Sequence, residues 1–485
     1  MFLFRSPGFH LTMPFLAVAG GLLIRWFENP ESDISGNILL AQRVLEGARP
    51  HVDLHDVNPP SVFYLYVPAV LIETWFGLRA ETAAHLVTMA AVIGIAALGE
   101  VILHDGKEAS ALRMLRLAVF LVVVIFIPMR TFSQRDHIAF LLLWPLLAVF
   151  MRRAEGAAVP MTAAFAAGLF TPLGLSIKPY LVLGPAFAIA VLLLRQRHLR
   201  ALRTPEIAGA CASGLAVAAW MIAAHPVYLI ETLPTAIEVY GPIRIPNLLT
   251  RGILVLAAIG VAILFAGRFR GRWEPPAAAA AGFALAYFLA GKGLAYQAVP
   301  ALSTGLLVLL LPSEDETSGK MRMFAGACLA AASTNFTSWA ANYDRGLEDL
   351  MRRTGPPNPA VGHLAIEMSL PHPMIRNVGG RLVGPSLLLW KTWGADYGLA
   401  RTQDPERIAR LEAHRRAERD ALAAAWAGQP PDLVLVQVGE DWAAWAAENE
   451  TLARMLADYE EVGRGLIGIL LRPKSQAAFP APVTP

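Results

Sequence analysis

The chain has 485 residues, 55% of them hydrophobic and only 16% charged, with a net charge of +3 at pH 7 and a mean hydropathy of +0.47. A soluble domain carries about a quarter charged residues; here long apolar blocks alternate with short charged ones, the pattern of a polytopic membrane protein. The basic residues sit in short inter-helix loops rather than on one face, which argues against nucleic acid as a partner. Cys211 and Cys328 lie inside apolar segments and offer neither a disulfide framework nor a metal site.

The N-terminus has no small-residue cleavage site after its apolar core, so 9–27 reads as a retained first helix rather than a secretory signal. The charged stretch ENPESDISGNILLAQRVLEGARPHVDLHDVNPP (28–60) follows. Next comes PPSVFYLYVPAVLIETWFGL (59–78), apolar but interrupted by Pro68 and Glu73. It reads as a helix lying along the outer membrane surface, with its tyrosines and Trp75 at the interface. Further apolar windows fall at about 82–103, 112–129, 138–151, 160–177, 179–194, 206–224, 252–267, 276–290, 294–311 and 321–338. With the first they give about eleven spans, several shorter than the ~20 residues of a perpendicular crossing.

With the N-terminus inside, the cytoplasmic loops hold fourteen Lys and Arg and the opposite loops about nine. The positive-inside rule therefore places residues 28–80, the QRDH loop, Lys178, residues 225–251 and the GKG turn outside. The remainder, 339–485, is charged and has no membrane-length apolar run. Within it 431–438 and 464–473 read as strands, 404–427 and 441–460 as helices, and the tail SQAAFPAPVTP as disordered. The expected fold class is a polytopic α-helical membrane protein of about eleven transmembrane helices plus juxtamembrane surface helices, with a C-terminal α/β soluble domain. The expected domains are 1–338, with 28–80 as its first outer loop, and 339–485.

The chemistry-bearing residues gather in the outer loops. Glu31 and Asp33, two residues apart, can converge on a cation or divide a base role and an orienting role; equally, acids after a helix can simply solvate a loop. In FSQRDHIAF, Gln134, Arg135, Asp136 and His137 sit at the membrane edge, where ionisable groups are expensive and often functional. The plain alternative is an Arg–Asp pair at helix ends. Lys178, in SIKPY, is the only charge between Glu155 and Arg195. It can hold an anionic phosphate or snorkel to the interface. Lys292 and Tyr296, in GKGLAYQAVP, are similarly placed, with glycines flanking the lysine that let a ligand approach the backbone. Asp53, His55, Asp56 and Asn58 precede Pro59-Pro60 and either line a sugar site or form a turn. For Arg244 and Tyr240, ordinary loop solvation is the stronger reading. The histidines show no metal-ligand spacing, and no catalytic triad, P-loop or dinucleotide signature is present. Acids beside cations at one membrane level suit a lipid-phosphate substrate whose tail lies in the bilayer.

Taken in order, these segments resemble the GT-C integral-membrane glycosyltransferases, which use polyprenyl-phosphate sugars; the resemblance covers about residues 10–340. It rests on Glu31-x-Asp33 after the first span, on GARPHVDLHDVNPPSVFYLYVP, on QRDH after the third span, on KPY after the fifth, and on GKGLAYQAVPAL. In that last segment Gln297 stands where the family usually has histidine. A C-terminal α/β periplasmic domain is also common in the family. The resemblance implies an inverting transferase at the periplasmic face of a bacterial inner membrane, N-terminus cytoplasmic. It would move a sugar from a polyprenyl-phosphate donor to a glycan, lipid or protein acceptor. Asp33, by position, would be the general base, with Glu31 still open for that role. Lys178, Arg135 and Lys292 would hold the departing phosphate, and Asp136 and His137 would position the acceptor or assist the acid. Asp53, His55, Asp56, Tyr296 and Arg244 would be weaker acceptor or sugar contacts. No cofactor is required outright; Glu31 and Asp33 together are compatible with a divalent cation (Mg, Mn or Ca), which some members do without. Two competing classes are a lipid-diphosphate-dependent polysaccharide ligase, expected to concentrate arginines in one large outer loop, and a transporter or flippase, expected to show internal repeats.

Overall fold

The computed structural model describes residues 7–28, 31–104, 106, 110–197, 202–268, 271–311, 316–338 and 343–475; the tail expected to be disordered lies, from 476 on, outside the described residues. In chain order its helices include α1 (Pro7–Phe27), α2 (Ser32–Leu45), α3 (Pro60–Leu65), α4 (Val67–Phe76), α5 (Ala80–Leu103), α6 (Ser110–Phe126) and α7 (Arg135–Ala154). Then come α8 (Met161–Ile177), α9 (Leu183–Gln196), α10 (Pro205–Ala224), α11 (Ile253–Arg268), α12 (Glu274–Ala290), α13 (Ala295–Leu310) and α14 (Glu316–Ser338). The last are α15 (Arg345–Thr354), α16 (Trp390–Leu399), α17 (Pro405–Gly428), α18 (Trp442–Ala447) and α19 (Glu450–Ala457).

Each apolar window coincides with a helix, namely α1 and α5 through α14. Among the described residues four stretches, 80–103, 135–154, 179–196 and 205–224, are long and apolar enough to cross a membrane by length and composition. Shorter apolar helices lie at 12–27, 60–76, 161–177, 253–264 and 295–310. Helix length alone therefore does not fix eleven crossings. The 59–78 segment is two helices, α3 and α4, broken at Tyr66. Pro68 falls in the first turn of α4, where its missing N–H costs nothing.

The chain divides into two compact units: Met1–Asn29, Leu71–Ala224 and Arg244–Trp339 form one, and Pro30–Val70, His225–Ile243 and Ala340–Pro485 the other. In the first, the membrane unit, α8 and α10 pack backbone to backbone. A Cβ on Gly168 would lie 2.0 Å from the Glu206 carbonyl oxygen, and one on Gly209 2.3 Å from that of Phe165. Small residues permit this approach where lipid supplies no hydrophobic drive. Ion pairs tie helix ends, Arg116 to Glu100 at 2.8 Å and Arg153 to Glu206 at 3.1 Å.

In the second unit five strands form one sheet: β1 (Ala360–Leu364), β2 (Arg381–Leu382), β3 (Leu433–Gln437), β4 (Tyr459–Arg464) and β5 (Gly468–Pro473). Their order is β2-β1-β3-β5-β4, with β1 parallel to β2 and β3 and the β3-β5-β4 portion antiparallel. Because successive side chains point to opposite faces, the sheet has two cores. Val361, Leu433, Leu435 and Leu470 face Leu39, Leu40 and Phe63, with Leu347 and Met351 of α15. Ala360, Leu364 and Val434 face Trp426 and Leu422 of α17 and Trp442 and Trp445 of α18. The segment from α2 to α3 thus supplies part of the α/β core, because α2 has an apolar face to bury. Composition alone, dividing the chain at 338, gives no sign of that. The expected 441–460 helix is α18 and α19, separated where Asn449 caps α19 by accepting from the Leu452 N–H at 3.0 Å; the chain then enters β4.

Candidate functional site

In the membrane unit the QRDH loop, the KPY turn and the GKG turn each carry charge. Residues 129–134 form a tight turn with Ser133 at φ 69°, a conformation that costs free energy for a non-glycine residue. Gln134 ends that turn by accepting from the Arg135 N–H at 2.7 Å, which starts α7 with Asp136 in its first turn. The Asp136 side chain is fully buried. One of its oxygens lies 3.4 Å from Lys178 Nζ and the other accepts from the Tyr180 hydroxyl. Lys178 ends α8 because the residue before a proline leaves the α region; its φ and ψ are −137° and 84°. Its ammonium lies 5.9 Å from the Tyr180 ring and 5.8 Å from the Tyr296 ring. One buried cation is thus held between a carboxylate and two aromatic faces. His137 is buried and accepts from the Ser133 N–H at 3.3 Å, while Ser133 Oγ meets His85 at 2.9 Å. The structure therefore joins Asp136, Lys178 and Tyr296 directly. Tyr180, not singled out from the sequence, belongs with them; its only signal was its place in KPY.

A second cationic group in the same unit surrounds the GKG turn. Lys292 is buried between Gly291 and Gly293, at φ 71° and 56°. A Cβ on Gly291 would sit 2.1 Å from Arg244 Cδ, so glycine is what lets the arginine lie against this turn. The Ile245 N–H donates to the Gly291 carbonyl at 3.0 Å, fastening the two loops. Burial, and then the Arg244 charge, pull the Lys292 ammonium down to about 8. Arg251 also comes close, its Cδ 3.3 Å from where a Gly293 Cβ would be. Arg244, a weak candidate in the sequence, thus stands beside Lys292. Gln297 is buried and its Oε1 has no hydrogen-bond partner in the protein.

In the second unit, Glu31 is the N-cap of α2, its carboxylate accepting from the Ile34 N–H at 3.1 Å. Asp33, in the first turn, is 8% exposed, and Asn37 Nδ2 donates to its backbone carbonyl at 2.5 Å. The two acids thus differ: one serves its own helix end, the other is buried in the first turn. A Cβ on Gly36 would meet Met368 Cε at 2.6 Å and His372 Cδ2 at 3.2 Å. His372 is held near 3, chiefly by burial, although the Asp33 charge opposes that shift. Among the described residues no group of three or more His, Cys, Asp and Glu is placed to hold a metal ion. With Glu31 turned to its own helix, the pair makes a poor chelate.

The turn before Pro59 is built from the remaining candidates. Asp53 takes a three-point contact from Arg49 at 2.8–3.0 Å, which pulls the exposed carboxyl down to about 2. Asp56 accepts from the backbone and side chain of Asn58 at 2.8 and 2.6 Å. His55 bonds through its backbone to Pro385 and Trp390. Asp53 and Asp56 are thus engaged in turn structure, the plainer of the two sequence readings. His51, which sequence reasoning missed, is buried against Phe63 and Tyr228 with ring centroids 4.8 and 4.9 Å apart.

No protein-family model and no curated protein matches the chain. Among solved structures, it is similar to ArnT from Cupriavidus metallidurans bound to undecaprenyl phosphate, at 14% identity and a TM-score of 0.57, over 97% of this chain and 98% of that one. The apo state of the same protein aligns with a TM-score of 0.53 at 14% identity, over 95% and 96%. The chain has the fold of ArnT along nearly its whole length, which meets, at the level of fold, the resemblance to GT-C membrane glycosyltransferases.

Proposed function

We propose that this protein is a membrane glycosyltransferase that uses a polyprenyl-phosphate sugar at the periplasmic face of the bacterial inner membrane. The observation that carries the reading is the shared fold, nearly end to end, with a protein crystallised with undecaprenyl phosphate. The buried cations of the KPY and GKG turns support it, since an expelled phosphate needs fixed positive charge. Lys178, Lys292 and Arg135 take that role, and the position of Arg244 beside Lys292 adds it to the set.

In the reaction, an acceptor hydroxyl gives its proton to the Asp33 carboxylate while its oxygen attacks the anomeric carbon. The bond from that carbon to the phosphate oxygen breaks, its electron pair leaves with polyprenyl phosphate, and the configuration inverts. Asp33 is preferred over Glu31 because the Glu31 carboxylate already accepts from the Ile34 N–H. Asp136 then orients Lys178 and Tyr180 rather than taking a proton.

The experiment incubates purified protein with a panel of polyprenyl-phosphate pentoses and hexoses and candidate glycan, lipid and protein acceptors, and identifies both products. Released polyprenyl phosphate and an inverted glycosidic bond are expected. Release of polyprenyl diphosphate from a lipid-diphosphate donor as its glycan is transferred would assign the chain to the ligase class, and movement of intact lipid without bond cleavage would make it a transporter.

A further inference from the structure

The second unit contains a cavity of about 420 Å³ between α16, α17 and the β3–α18 connection, within the ~300–1,000 Å³ range of small-molecule sites. Its walls combine three chemistries. Trp393 and Tyr397 are half-buried aromatic rings on α16. Asp396 and Glu440 present carboxylates, and Arg415 presents a guanidinium already placed 3.3 Å from Asp396 and 3.5 Å from Glu448. Trp445 also lines the cavity and is 3% exposed.

These features exclude ligand classes in turn. Surplus carboxylates repel an anion, because the one lining guanidinium is compensated. A bare ammonium would suit the acids and the rings but is repelled by the Arg415 guanidinium on the same wall. A purely apolar ligand satisfies neither set. A ligand with hydroxyls both donates and accepts at each group, and its C–H face can lie on the aromatic rings. We propose that this cavity binds a sugar residue, with hydroxyls on Asp396, Glu440 and Arg415 and a ring face against Trp393 or Tyr397. The site rests on the cavity's own chemistry and not on the transferase reading. Burial raises both the Asp396 and the Glu440 carboxyls, and Glu448 and Asp396 respectively add to the rise; neutral hydroxyl donors reduce that strain without adding charge.

The test uses full-length protein in nanodiscs and a panel of methyl glycosides of neutral hexoses and pentoses with short neutral oligosaccharides. Binding is read by saturation-transfer NMR and tryptophan fluorescence. At least one saccharide is expected to saturate, and Trp393→Ala and Glu440→Gln are each expected to weaken it about tenfold. Excess polyprenyl phosphate should leave that binding unchanged, which separates this site from the proposed donor site. Glu440 is exposed, so Glu440→Gln remains informative if Trp393→Ala fails to fold. The proposal is overturned if no saccharide binds, if neither variant weakens binding, or if tetramethylammonium displaces the saccharide.

Discussion

The Asp136–Lys178 pair gives the sharpest structural prediction. Its side chains are 0% and 10% exposed and its charges 3.4 Å apart. At an effective dielectric of about 20 the attraction is about 5 kcal/mol, and breaking such a pair from one side costs about 3–5 kcal/mol because the other charge is stranded. Asp136→Asn and Lys178→Met should each destabilise the purified protein by that order in denaturant unfolding in micelles. The double variant, with neither charge, should cost well under the sum of the two. Activity should behave differently: Lys178→Met and the double variant should both lose donor turnover, because the proposed phosphate contact is missing from both. Single costs that add to within about 0.5 kcal/mol would refute the coupling. A double variant that regains turnover would show that Lys178 is only the counter-ion of Asp136.

Lys292, held at about 8, is charged below that pH and neutral above it. The donor KM should therefore rise as pH passes from 7 to 9, and Lys292→Arg should flatten the profile; an unchanged wild-type profile would remove Lys292 from the phosphate site. Glu31→Ala should cost about 1 kcal/mol of stability as a lost helix cap with little loss of turnover. A hundredfold fall in Glu31→Gln would instead make Glu31 the base. Glu418 is fully buried, accepts from the Lys391 and Thr392 N–H groups at 3.2 and 2.7 Å, and is pushed by burial up to about 7. A carboxyl raised on folding contributes stability that is full below its unfolded value of about 4.3 and is lost as pH rises through about 7. Buried histidines such as His372 and His363, held near 3 and 4, push stability the other way over the same range, so the Glu418 contribution is read as a difference. Glu418→Gln should gain stability relative to wild type as pH rises from 5 to 8; a difference that does not change with pH would show that Glu418 carries no such shift.

The apolar windows were legible because a helix that meets lipid must be apolar all round, and each window is a helix. The α/β unit was only half legible. β3 and β5 are runs of branched residues, but β1 is AVGHL and β2 has two residues, too short for alternation to show. The contribution of α2 to that core was invisible because it depends on a contact between residues such as Leu39 and Leu433, hundreds of positions apart. At the site, Asp136 and Lys178 could be nominated because isolated charge between apolar windows is conspicuous, and Tyr296 because it follows the GKG turn. Tyr180 and Arg251 were missed because a tyrosine or arginine in a loop is unremarkable until a neighbour is placed beside it. Asp53 and Asp56 were nominated as polar residues preceding Pro59-Pro60, and their turn contacts with Arg49 and Asn58 follow from the tendency of short carboxylates to bond nearby N–H groups.

The central claim is that Asp33 takes the acceptor proton during transfer from a polyprenyl-phosphate donor. It is tested most directly by single-turnover release of polyprenyl phosphate from a donor the wild type consumes, measured alongside donor affinity for wild type and Asp33→Asn. A rate about 10²–10⁴-fold lower is expected in the variant, with donor binding unchanged. An Asp33→Asn protein that binds donor normally and releases polyprenyl phosphate at the wild-type rate would contradict it.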